Sequence, residues 1–151
     1  MSADFSSPRS VFKPPLATWP DAGVYQLWLR VMTTRRLRVG RSGRFLFPAG
    51  LYVYTGRAAR ALPSRIARHA QGARVKHWHI DYLLASHGVR LEKIVLVSMD
   101  PAAECPLNQS VGEGAACPVP GFGSSDCRAS CKAHLWLLLA HARLKKRWTR
   151  R

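Results

Sequence analysis

GLYVYTGRAARALPSRIARH, residues 50–69, runs from an aromatic strand through a glycine into a helix. Strand side chains alternate, so Tyr52 and Tyr54 share a face, and Gly56 follows them. A glycine at that point lets a phosphate approach the backbone. Pro63 suits a first helical turn and Gly72 a stop, which frames a helix of about ten residues. At about 100° per residue, Leu62, Arg65, Ile66 and His69 fall on one side, with Arg65 and His69 along the border of the apolar stripe. An arginine so placed is partly sheltered and can grip a phosphate through two donors. The same spacing also fits an arginine that only snorkels and a histidine satisfied by a backbone carbonyl.

Working outward, GVYQLWLRV (23–31) alternates as a strand, with Tyr25, Leu27, Leu29 and Val31 on its apolar face. RLRVGRSGRFLF (36–47) reads as a hairpin around Ser42 and Gly43. HWHIDYLLASHG, from His77, predicts a second helix, VRLEKIVLVSM a strand, and PAAECPLNQSVG a short helix. CPVPGFGSSDC is loop by its Gly, Pro and Ser content. The run AHLWLLLAHARLKK, from Ala133, fits helix or buried strand, and periodicity does not choose. This order of elements predicts an α+β domain, a small antiparallel sheet covered by helices. Residues 1–19, rich in Ser and Pro, read as a flexible tail, 20–140 as the folded domain, and 141–151 as a basic tail.

Charge is the unusual feature of the composition: 24 Lys and Arg stand against 8 Asp and Glu, a formal net charge of +16. Such an excess points to a polyanionic partner, because each neutralised phosphate releases counterions. A solvated basic surface without a partner is the plainer alternative. No apolar run approaches the roughly 20 residues needed to span a bilayer. The opening MSADFSSPRSVFKPP has no hydrophobic segment of a secretory signal, so the cytoplasm is the expected compartment. The four cysteines are then expected as thiols or metal ligands.

GVY at 23–25, YTG at 54–56 and RIARH at 65–69 resemble the GIY-YIG nuclease superfamily. The wider pattern of GLYVYTGRA, HWHIDYLL, the Glu104-Cys105 pair and GFGSSDC is similar to its small stand-alone branch, DUF123. The resemblance covers about 23–135 and implies three core antiparallel strands, with the hairpin as an insertion, flanked by helices. It also implies phosphodiester hydrolysis with one divalent metal, Mg²⁺ or Mn²⁺, on DNA more than RNA, in DNA repair. Carried over, Tyr25 and Tyr54 would serve the nucleophile, Arg65 and His69 the phosphate, and Glu104 the metal. A phenol is a poor base at neutral pH unless a cation depresses its pKa, which Arg65 and the metal would supply. Arg57, Arg68, His77, Lys145, Lys146 and Arg147 are candidate nucleic-acid contacts.

Glu104 could instead complement a helix dipole, and Asp81 could hold a histidine or arginine in place. Cys127, Cys131 and His134 would share a face if helical and, with Cys105 or Cys117, could ligate a structural zinc. The superfamily's late active-site asparagine has no clear counterpart, Asn108 being too early. A non-catalytic nucleic-acid-binding module on the same fold is therefore the alternative to a nuclease. A small zinc-stabilised domain is a third. No membrane and no obligate protein partner are expected.

Overall fold

The computed structural model describes residues 18–72 and 75–139. Most of the N-terminal tail and the whole basic C-terminal tail, with Lys145, Lys146 and Arg147, lie outside the described residues.

The fold is α+β. Strand β1 (Gly23–Val31) leads to the hairpin β2 (Arg35–Arg38) and β3 (Arg44–Phe47), and then to β4 (Gly50–Ala58). Helices α1 (Leu62–Gln71) and α2 (His79–Leu84) precede β5 (Val89–Ser98). Helix α3 (Glu104–Gly112) and two short strands, β6 (Ala115–Ala116) and β7 (Leu135–Leu138), complete the described chain. The main sheet is antiparallel throughout, ordered β5-β1-β4-β7-β6, and β2-β3 forms a separate two-stranded sheet. The three long strands, β1, β4 and β5, and the separate inserted hairpin are as expected; among the described residues the short β6 and β7 extend the main sheet to five strands. The run from Ala133 is β7, which pairs Leu135 with Tyr54 and Leu137 with Tyr52. Its alternation serves two faces. Leu135 is buried in the main core, while Trp136 donates to Asn108 of α3 at 3.0 Å.

One face of the sheet carries Tyr25, Leu27, Leu29, Tyr52 and Tyr54. It is covered by Leu62 and Ile66 of α1, Ile80 and Leu83 of α2, Phe47 of the hairpin and Phe122 of the loop after β6. Helix α1 starts where Asp21 accepts from the amides of Ala61 and Leu62, the first through its side chain and the second through its carbonyl. Helix α2 starts at His79 rather than His77. Asp81 folds back to accept from the amides of His77 and Trp78, which satisfies donors that a further helical turn would have used. No helix among the described residues is long and apolar enough to cross a membrane.

Candidate active site

The register of β1 on β4 sets Tyr25 opposite Gly56 and Leu27 opposite Tyr54, so the two tyrosines are diagonal neighbours on one face. A Cβ on Gly56 would stand 2.7 Å from Tyr25 Oη. The glycine that was expected to admit a phosphate therefore makes room for the ring of Tyr25. Helix α1 supplies the next shell. Leu62, Ile66 and His69 are all buried, His69 deeper than its place at the border of the stripe predicts. Tyr25 Oη and His69 Nε2 lie 2.8 Å apart.

Arg65, on the same helix, donates to the carbonyl of Arg57 and stands near enough to Tyr25 to favour the charged form of its phenol. Its guanidinium lies 4.7 Å over the ring of Trp78, and that of Arg68 lies 4.8 Å from the same ring. Trp78, which the sequence did not single out, is thus a shelf for two cations. The visible signal for it was an aromatic residue placed where a helix begins beside a basic one. Arg68 also donates to the Asp81 carboxylate at 2.8 Å and to the carbonyl of Val75, so it is engaged inside the fold. His77 is exposed, with its ring edge-on to Trp78. His79 accepts from the amide of Gly123 through Nδ1 and pins the loop.

Glu104 opens α3. Arg57 Nε lies 3.6 Å from its Oε1 and His134 Nδ1 3.7 Å from its Oε2, both too long for hydrogen bonds. Tyr25, Tyr54, Arg57, Arg65, Trp78 and Glu104 line a single pocket of about 370 Å³, and His69 stands behind Tyr25. A larger hollow of about 940 Å³ shares Arg57, Glu104, Asp126 and Cys127 with it, so the two form one depression. Asn108 is fully buried, held by Ala133 and Trp136 in the packing of α3 on β7.

Burial dominates the titration of this pocket. It raises the Tyr25 phenol well above its ordinary value, with Tyr54 adding to the rise and Arg65 opposing it. Tyr54 is raised for the same first reason. Arg65 pulls both phenols in the expected direction, but desolvation wins, and both are neutral at pH 7. His69 is pushed down to about 4 by burial, against Asp81, and is neutral as well. Glu104 is raised by burial, although His134, Arg57 and Arg65 favour its charge.

Beside Glu104, Cys105, Cys127, Cys131 and His134 bring their ligand atoms within 4.8 Å of one another, a cluster that could hold a metal ion. The segment is irregular rather than helical, yet it still brings the three predicted residues together, and Cys105 is the fourth. Cys117 lies outside the cluster.

The profile of a family described as "Domain of unknown function DUF123" matches residues 24–150. No curated protein and no solved structure matches the chain.

Proposed function

We propose that this chain, which belongs to the DUF123 family, is a divalent-metal-dependent endonuclease of the GIY-YIG type, acting on DNA in preference to RNA. The observation that carries this reading is the convergence of Tyr25, Tyr54, Arg65 and Glu104 on one pocket, with a neutral His69 against Tyr25. The net charge of +16 supports a polyanionic substrate.

The Glu104 carboxylate fits a hydrated divalent ion. It is largely sheltered, it faces the pocket, and its two basic neighbours, Arg57 and His134, stand too far away to hydrogen-bond it. When bound, Mg²⁺ or Mn²⁺ would neutralise charge on the scissile phosphate and its leaving oxygen. The chain's own groups do the rest. Arg65, stacked on Trp78, binds the phosphate and stabilises the charge that grows at phosphorus. Tyr25 orients the attacking water. The water proton passes to Tyr25 Oη as the phenol proton passes to His69 Nε2, so no free phenolate is needed; His69, which burial favours neutral, then returns the proton through Tyr25 to solvent. The water oxygen bonds to phosphorus, the bond to the departing sugar oxygen breaks, and solvent protonates that oxygen. Tyr54 donates to the nucleophile or a phosphate oxygen.

A non-catalytic binding module has one observation in its favour: Asn108, held in the packing of α3 on β7, is committed away from the pocket. Cleavage of labelled single-stranded, duplex, flap and branched DNA, and of RNA, with Mg²⁺ or Mn²⁺ decides between the two. Cutting abolished by both Arg65→Ala and Glu104→Ala supports the nuclease. Salt-sensitive binding without cutting at any metal concentration selects the module.

A further inference from the structure

The segment between β6 and β7, residues 117–134, contains neither helix nor strand, yet it forms one wall of the pocket. Irregular stretches of this length are uncommon inside compact domains unless something ties them down. Phe122 and Val119 bury themselves beneath it, and Gly121, Phe122 and His134 make a few backbone hydrogen bonds. Its second half, 124–132, is mostly exposed and has little apolar anchorage. That half carries Cys127 and Cys131.

His134 supplies the decisive detail. Its Nδ1 lies 3.1 Å from the carbonyl of Thr55 and 3.7 Å from a Glu104 oxygen. Both neighbours are acceptors, so Nδ1 carries the ring proton and Nε2 keeps the lone pair. The side chain is 2 % exposed, and Nε2 has no hydrogen-bond partner among the described residues. A buried lone pair without a donor is a cost that a metal removes. An imidazole whose Nδ1–H is fixed by a carbonyl is the arrangement in which Nε2 binds one. Three thiols share its neighbourhood, with Cys105 Sγ and Cys127 Sγ 3.5 Å apart, in hydrogen-bond contact and without a disulfide. Sulfurs around a tetrahedral zinc sit about 3.8 Å apart, given Zn–S bonds of about 2.3 Å. The cluster needs only small adjustments to reach that geometry.

We propose that Cys105, Cys127, Cys131 and His134 bind one zinc ion, which staples the segment 117–134 to the start of α3 and fixes the wall of the pocket beside Glu104. The donor set decides the metal. Three soft sulfurs and an imidazole, with four ligands in all, suit Zn²⁺ in a closed structural site. Mg²⁺ wants oxygen, and Glu104 faces the pocket instead. Zinc here is a structural partner of the site, and its binding does not depend on whether the pocket cleaves nucleic acid.

The test is metal content of the full chain purified under reducing conditions, followed by exchange with Co²⁺. The expected results are about one zinc per chain and, after exchange, the intense visible bands of tetrahedral cobalt with thiolate charge transfer. Cys105→Ser should lose most of the metal, and Cys117→Ser, outside the cluster, should keep it. Chelation should lower the thermal midpoint by about 10 °C or more and open 117–134 to protease. Zinc retained in full by Cys105→Ser would overturn the proposal. So would a folded wild-type chain that takes up neither zinc nor cobalt, or one that holds a Cys105–Cys127 disulfide under these conditions. The cobalt spectrum of the wild type needs no variant, so a misfolded mutant does not blunt the test.

Discussion

The ring of Tyr25 lies across Gly56, its Oη 2.7 Å and its Cζ 2.8 Å from where a Cβ on that residue would stand. Gly56→Ala therefore forces a buried phenol to move. Alanine in a strand ordinarily gains roughly 0.5–1 kcal/mol over glycine, yet here the substitution should destabilise by about 1–3 kcal/mol. Urea unfolding of Gly56→Ala, Tyr25→Ala and the double variant checks it, since the cost should shrink once the ring is gone. Equal costs in both backgrounds would separate Gly56 from Tyr25.

His69 makes the fold acid-sensitive. Its folded pKa, about 4, lies below the ordinary 6.5, so between those values the unfolded chain binds the extra proton. Stability from this group is complete above about pH 6.5 and is lost as pH falls towards about 4, a change of roughly 3 kcal/mol. Urea midpoints measured across that range should fall steeply in wild type and more gently in His69→Gln.

Asp81 is 2 % exposed, and its carboxylate accepts from two backbone amides and from Arg68. Asp81→Ala leaves that guanidinium and the start of α2 without their acceptor, and should cost about 3–5 kcal/mol. The side effect is the sharper prediction. On the nuclease reading, inorganic phosphate held by Arg65 should change tryptophan fluorescence in wild type and change it less in Asp81→Ala, because Trp78, the shelf under Arg65, is no longer held.

Arg65→Lys keeps the charge but loses the planar fork and its stacking on Trp78. On the nuclease reading, cleavage should fall by about 10²-fold or more while urea stability falls by only about 1 kcal/mol, from the weakened Arg57 and Trp78 contacts. A drop in stability that matches the drop in rate would make Arg65 a structural residue.

The parts of this molecule that the sequence reveals are those governed by local rules. Alternation predicted β1 and β4, and with them Tyr25 on the apolar face of β1 and the shared face of Tyr52 and Tyr54; the register that brings Tyr25 beside Tyr54 was not legible. Pro63 and Gly72 framed α1, and the 62-65-66-69 spacing placed Arg65 beside the pocket. The rest depends on contacts between distant segments. Whether 135–138 is helix or strand is settled by pairing with β4, which no local pattern encodes. His69 is buried because Tyr25 and Trp78 close over it. Cys105 joins Cys127 and Cys131 only because an irregular loop folds back onto α3, and irregular backbone has no period to read. The effect of Arg65 on the phenols was predicted in sign, but the competing desolvation is a property of the packed interior.

Among the described residues, β5 has a neighbour, β1, on one side only. A ten-residue strand with an open edge is a template on which another chain can pair and aggregate. Arg90 and Lys93 stand exposed along it, and its pairing with β1 shifts register near Trp28 and again near Val24. Charge and irregularity together discourage a second strand from docking. Arg90 and Lys93 thus give this edge a charge that disfavours edge-to-edge pairing, and replacing both with threonine should show up first as loss of solubility.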